Sequence, residues 1–233
     1  MIADVHSHIL PGIDDGSASL EESAALIAML KEQNVPWVAA TPHFYPNRDH
    51  LGRFLQRREK AAEELKAFLG EDGQTLPVVL GAEVYYYPGM SDSEALKQLT
   101  YGGSPYLLVE MPMSPWTDAM FRELAQIREK QGLIPVVAHV DRYIRPLRHH
   151  GIPARLEKLP VLVQANASFF LRRSTRSMAL RMLKKGQIHL LGSDAHNVNH
   201  RVPRLGEAVE VIRRELGESA LETLAENAKN IYP

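Results

Sequence analysis

Seven short apolar stretches alternate with longer amphipathic ones along this 233-residue chain, and no other feature restricts its fold as much. The stretches fall at residues 2–8, 36–43, 78–84, 106–110, 134–139, 161–166 and 188–193. They are near-continuously apolar, as expected for strands buried on both faces of a parallel sheet. Helical patterns separate them at 20–33, 50–69, 92–98, 117–131, 153–158 and 174–185, and two more follow at 204–216 and 218–228. This order predicts a closed or distorted (β/α) barrel, with a doubly wound open sheet as the alternative. One domain over residues 1–233 accommodates it.

Local signals agree. Ser19 and Glu22 form a capping box ahead of an Ala24, Leu26, Ile27, Leu30 stripe. Leu51, Phe54, Leu55, Ala62, Leu65 and Phe68 are expected to be the inner face of the charged helix at 50–69. Lys184, Lys185 and Gly186 close helix 174–185 favourably. A turn is expected at 70–74, a stiff loop at Met111–Trp116, and an irregular segment from Asp141 to Gly151 carrying Arg142, Arg145 and Arg148.

The polar residues in this pattern are not scattered. His6 and His8 lie two apart on one strand, so they project from one face with Asp4 beside them. Asp14 and Asp15 follow in a Gly-bounded loop. His43, Glu83, Glu110, His139, and Asp194 with His196 close five further strands. In parallel α/β folds that end of the sheet holds the site. A lone His-x-His reads most simply as solvated histidines on an edge strand. Ligand-type side chains at the ends of six strands read instead as a metal site. Imidazole and carboxylate without sulfur suit Mn, Zn or Fe. Eight or nine donors exceed what one ion takes, so two or three ions are expected, and metal-assisted hydrolysis is the first chemistry to consider.

Composition narrows the rest. There is no cysteine, which excludes disulfides, thiolate metal sites and a cysteine nucleophile. A formal net charge of −1 gives no drive toward nucleic acid or membrane. No apolar run is long enough to span a bilayer and no leader pattern opens the chain, so a cytoplasmic protein without membrane insertion is expected. Arg142 and Arg201 leave the strand-end rim on loops, where guanidinium groups suit phosphate recognition. His50, His149, His150 and His200 read as solvated, and His189 begins a strand at the opposite end.

Together, Asp-x-His-x-His, the two strand-end glutamates, Ala-His-x-x-Arg-Tyr and Ser-Asp-Ala-His resemble the PHP (polymerase and histidinol phosphatase) superfamily. His6 to Gly16, Ala39 to His43, Gly81 to Tyr86 and Ser193 to Asn197 resemble its manganese-dependent bacterial protein-tyrosine phosphatases of the CpsB/CapC type. His139-Val140-Asp141-Arg142-Tyr143 departs from the His-Pro-Glu-Arg-Tyr pattern without losing a ligand.

The resemblance implies a distorted seven-stranded (β/α) TIM-like barrel of the PHP type with a three-metal Mn²⁺ site. It implies that His6, His8, Glu83 and Asp194 hold one ion, that Glu83, Glu110 and His139 hold a second, and that Asp14, His43 and His196 hold the third. It also implies that Arg142 and Arg201 grip the phosphate. The expected substrate is phosphotyrosine on a bacterial tyrosine kinase that controls capsule or exopolysaccharide export. The first alternative is a histidinol phosphatase or another small-molecule phosphoesterase with the same metals; the second is a non-enzymatic phosphotyrosine-binding regulator. Asp14 is a candidate general acid. Tyr85 to Tyr87 and Met111 to Trp116 are candidate surfaces for a phenyl ring.

Overall fold

The computed structural model describes residues 1–70, 76–144 and 151–233. The turn expected at 70–74, apart from Gly70, lies outside them, as do Arg145, Arg148, His149 and His150.

Nine strand segments are present among the described residues. β1 (Asp4–Ser7) pairs in parallel with β2 (Val38–Ala40), and β2 with β4 (Val78–Leu80). β3 (His43–Phe44), β5 (Glu83–Tyr85), β6 (Tyr106–Glu110), β7 (Ile134–Val137), β8 (Leu162–Asn166) and β9 (Leu190–Gly192) continue the parallel order. β2 with β3, and β4 with β5, are single strands interrupted at Thr41–Pro42 and Gly81–Ala82. Hydrogen bonds from Gly81 N to Ala40 O (2.9 Å) and Glu83 N to Pro42 O (3.0 Å) carry the ladder across both breaks. Seven strands result, as expected. The stretch at 36–43 is split because Pro42 has no N–H to donate. Asp194 N donates to His6 O and His8 N to Ala195 O, both at 2.8 Å, so β9 returns to β1.

The helices form the outer layer: α1 (Leu20–Glu32), α2 (Leu51–Leu69), α3 (Asp118–Gln131), α4 (Val140–Ile144), α5 (Gly151–Leu156), α6 (Ala167–Leu171), α7 (Arg173–Lys184), α8 (Leu205–Leu216) and α9 (Glu218–Ile231). None is long and apolar enough to cross a membrane. At α1 the Ser19 hydroxyl accepts from Glu22 N, while the Glu22 carboxylate reaches back to Ala18 N rather than to Ser19 N. In place of the helix expected at 92–98, short 3₁₀ turns span Met90–Asp92 and Glu94–Gln98. Val140–Ile144 and Ala167–Leu171 are helical, although five-residue helices leave no readable period in the sequence.

On α2 the expected face is corrected at two positions. Phe68 is exposed, and Arg58 is buried with Phe54, Ala61 and Leu65. Arg58 Nη1 donates to Gly81 O at 3.0 Å, the strand break two residues before Glu83. Leu26, Leu30, Leu107, Val109, Leu124, Val137, Val163 and Ala165 belong to the main buried cluster between helices and sheet. A second cluster joins Val5, Ala39, Leu108, Val136 and Leu190 to Ala228 and Ile231 of α9.

Candidate metal centre

The carboxyl ends of the strands converge on Glu83, the first residue of β5, which is almost wholly buried. Its Oε2 lies 3.2 Å from His6 Nε2, 3.3 Å from His8 Nε2 and 3.1 Å from His43 Nδ1. Its Oε1 lies 2.7 Å from His139 Nε2. Asp194 Oδ1 is 3.8 Å from His6 Nε2 and 3.6 Å from His8 Nε2. Glu110 stands 3.7 Å from both His43 Nδ1 and His139 Nε2. Donors on one ion at a metal–ligand distance of ~2.1 Å lie about 3 Å apart, so this crowding is what a shared site requires.

Three groupings could each hold an ion: His6, His8 and Asp194; His43, Glu83 and Glu110; and His8, Asp15, His43 and His196. His139 reaches the middle group through Glu83. Every expected ligand therefore reaches the rim, but Asp14 does not offer its carboxylate to the cluster. Its Oδ2 contacts His8 Nδ1 at 2.7 Å and accepts from His43 N at 2.9 Å, and its Oδ1 accepts from Gly16 N at 2.9 Å. Asp15 takes the open position instead, with Oδ1 3.5 Å from both His43 Nε2 and His196 Nε2. Gly16 permits this turn, because a Cβ there would meet the His8 carbonyl oxygen at 2.3 Å.

The electrostatics fit a cation. Glu83 Oε2, Glu110 Oε2, His43 Nδ1 and His196 Nε2 are buried without a hydrogen-bond partner among the described residues. Such orphaned atoms are costly unless something binds them. Burial opposes charge on Glu83, yet the surrounding His6, His139 and His43 hold its carboxyl well below the usual range. Burial and the Glu83 charge raise Glu110. Burial also opposes charge on His8, but the Asp14 carboxylate bonded to its Nδ1 and the Glu83 carboxylate beside its Nε2 lift it to about 10. Burial and the neighbouring His8 push His196 down to about 3. Asp14 is held low by His8 despite burial.

Two candidate ligands sit on a left-handed backbone: His139 (φ 31°) and Asp194 (φ 54°). Such angles are uncommon for non-glycine residues and cluster at functional sites, although Asn34, just past the end of α1, also adopts one (φ 56°).

Arg142 and Arg201 both reach the site. Arg142 Nη2 donates to Asp194 Oδ2, and Arg201 Nη2 donates to Asp194 Oδ1 at 2.6 Å. They line a cleft of about 320 Å³ with Asn166, Ser168, Arg172 and His200. His50 and His200 are exposed, and His189 is engaged away from the rim, where its Nδ1 accepts from Val163 N at 3.1 Å.

The aromatic expectation is partly corrected. Trp116 turns inward, packing on Tyr143 at 4.9 Å and donating Nε1–H to Pro112 O. Tyr86 is buried. The rings beside the cluster are Tyr45, stacked 5.1 Å from His43, and Tyr85, 5.7 Å from Tyr45. Tyr45, Gln164 and Asn166 are not among the site residues expected from sequence, and Asp15 is named there only beside Asp14 in the Gly-bounded loop. For Tyr45 and Asp15 the available signal is adjacency to His43 and Asp14.

Comparisons with known proteins bear on the fold and the family. The tyrosine-protein phosphatase CpsB of Streptococcus agalactiae serotype V is 30% identical over 244 residues, covering 98% of this chain and 97% of its own. A solved structure from work on YwqE of Bacillus subtilis and CpsB of Streptococcus pneumoniae, described as unique metal-dependent tyrosine phosphatases, superposes with a TM-score of 0.86. It is 27% identical and covers 99% of this chain and 94% of that one. The Lactococcus lactis histidinol phosphate phosphatase, solved with zinc, L-histidinol and phosphate, has a TM-score of 0.56 at 14% identity over 91% of this chain and 93% of its own, a likeness of fold alone. The family described as capsular polysaccharide synthesis, CpsB/CapC, matches residues 2–232, and the chain belongs to it.

Proposed function

We propose that this chain is a metal-dependent protein-tyrosine phosphatase, a phosphoric monoester hydrolase formed by one domain over residues 1–233. The observation that carries this reading is Glu83: one buried carboxylate lies within 3.3 Å of imidazole nitrogens from His6, His8, His43 and His139. Two guanidinium groups stand on the adjoining Asp194.

His6, His8, Asp15, His43, Glu83, Glu110, His139, Asp194 and His196 would hold two or three ions. Mn²⁺ is the proposed metal, and Fe or Zn is compatible with the same donors. Bound divalent ions supply Lewis acidity toward a phosphoryl oxygen and a nucleophile from water at neutral pH. His8 faces the cluster only through Nε2, because Asp14 occupies its Nδ1. Arg142 and Arg201 bind the phosphate oxygens and stabilise charge that builds on them in the transition state. Tyr45 and Tyr85 offer faces to the phenyl ring of the substrate. The reaction needs no covalent phosphoenzyme, in keeping with a chain that has no cysteine.

The proposed substrate is phosphotyrosine in the tyrosine-rich tail of a bacterial tyrosine kinase, in the cytoplasm, with capsule or exopolysaccharide synthesis as the process regulated. The family description supports the capsule connection. The test is phosphate release from a phosphotyrosine peptide with added Mn²⁺, alongside histidinol phosphate, each repeated with chelator. Chelator-sensitive release from the peptide is expected. Release from histidinol phosphate alone would overturn the substrate assignment, and silence on both would overturn the reaction.

A further inference from the structure

β8 differs from its neighbours at the rim. It reads Leu162-Val163-Gln164-Ala165-Asn166 and contains no histidine or carboxylate. Gln164 and Asn166, two apart on one face of the strand, are nevertheless buried among the ligands. Gln164 Oε1 accepts from His139 N at 2.6 Å and lies 3.2 Å from His6 Nδ1. Gln164 Nε2 donates to Asn166 Oδ1 at 3.0 Å. Asn166 Nδ2 in turn donates to Asp194 Oδ2 at 2.9 Å. A chain of two amides therefore links ligands from three other strand ends.

The orientation of both amides is forced. His139 N can only donate, so the Gln164 oxygen must face it. The Gln164 nitrogen then faces Asn166, whose oxygen must accept and whose nitrogen must point to Asp194. The same oxygen requires a proton on His6 Nδ1, so Nε2, on the side of Glu83 and Asp194, is the nitrogen left to meet a cation. Outer partners of this kind set the tautomer and angle of a metal-binding imidazole. The two ligands on left-handed backbone, His139 and Asp194, are the two that the amide chain holds besides His6. β9 makes room for it: a Cβ on Gly192 would fall 2.8 Å from Gln164 Nε2 and 2.6 Å from His6 Cβ.

We infer that Gln164, acting with Asn166, is a positioning residue that fixes His6, His139 and Asp194 in metal-binding geometry. β8 thus contributes to the centre without a ligand. The assignment rests on the metal site proposed above.

The test is calorimetric Mn²⁺ titration of chelator-stripped full-length protein, with the visible spectrum of the Co²⁺ form as a second readout. Gln164→Leu keeps the volume and removes the acceptor. Gln164→Glu keeps the acceptor, and a buried carboxyl held in its protonated form still donates to Asn166 Oδ1. Positioning predicts that Gln164→Leu weakens Mn²⁺ binding ~10–100-fold and alters the Co²⁺ spectrum, while Gln164→Glu stays within about threefold of the parent. A merely space-filling role predicts the reverse, with the apolar variant binding normally and the buried charge disruptive. Parental affinity in Gln164→Leu would overturn the assignment and leave the metal site standing. Should Gln164→Leu not fold, Asn166→Ala decides: roughly tenfold weaker binding supports the assignment and parental binding overturns it. An unmodified chain that binds no Mn²⁺ would overturn the metal site and this role with it.

Discussion

The strand-end rim and the helix-facing shell of the same barrel obey opposite rules. In the shell, Leu26, Leu124, Val109 and Val163 are buried among other apolar side chains, and α1 and α3 begin with side-chain caps from Ser19 and Thr117. At the rim, Glu83, His6, His8, His139 and Asp194 are buried polar groups. Five atoms of the rim side chains, Glu83 Oε2, Glu110 Oε2, His43 Nδ1, His139 Nδ1 and His196 Nε2, have no hydrogen-bond partner among the described residues, and His139 and Asp194 sit on left-handed backbone. Burial without pairing is destabilising. The shell therefore supplies the stability that holds the rim in an arrangement which becomes favourable when cations fill it. Fold stability and metal binding should then separate experimentally.

The largest separation comes from the rim. Glu83→Gln removes the charge shared by four imidazoles. Loss of a shared ligand should exceed the ~10–100-fold cost of an outer partner, and ~10³-fold in kcat/KM on a phosphotyrosine peptide, about 4 kcal/mol, is expected. Retention of a tenth of parental activity would remove Glu83 from the centre of the account. The converse change, Leu124→Ala, opens a cavity in the shell beneath α3. It should cost about 3 kcal/mol in denaturant unfolding while leaving Mn²⁺ affinity within twofold. A comparable loss of Mn²⁺ affinity would show that the two regions are not separable.

Metal removal comes next. Mn²⁺ at a hundred times its dissociation constant should stabilise the folded chain by ~2.7 kcal/mol, raising Tm by roughly 5–10 °C over the chelated protein. Equal Tm values would contradict a rim that cations complete. The smallest expected effect is that of pH. In the metal-free protein His8 is raised from 6.5 to about 10, so it carries a proton throughout pH 6–8. Ligation needs a free lone pair on Nε2, so binding expels that proton and tightens as pH rises. An increase of about tenfold per pH unit, ~1.4 kcal/mol, is expected between pH 6.5 and 7.5. Titrations in buffers of different ionisation enthalpy count the proton directly, and pH-independent affinity would contradict the assigned pairing of His8 with Asp14.

The two regions were also unequally legible in the sequence. Strand order and ligand types were readable because both are local patterns: His6 and His8 share a face by period two, and Glu110 and His139 end apolar runs. The helix-facing shell was readable from period 3.6, except where a tertiary contact outweighs polarity. Arg58 looks solvated in sequence but is buried because it reaches the Gly81 carbonyl 23 residues away. The choice between Asp14 and Asp15 was not readable, since it depends on the turn that Gly16 allows rather than on residue type. Gln164 and Asn166 were harder still. Neutral amides in an apolar strand look like packing until their partners on β1 and just beyond the ends of β7 and β9 are known.

The central claim is that cations gather around Glu83 at the carboxyl rim. Crystals of the Mn²⁺-loaded protein, measured at the manganese absorption edge, test it most directly. Two or three anomalous peaks are predicted among His6, His8, Asp15, His43, Glu83, Glu110, His139, Asp194 and His196, with Glu83 in contact with at least one ion and Asp14 with none. Peaks confined to other parts of the molecule, or a Glu83 carboxylate that touches no ion, would contradict it.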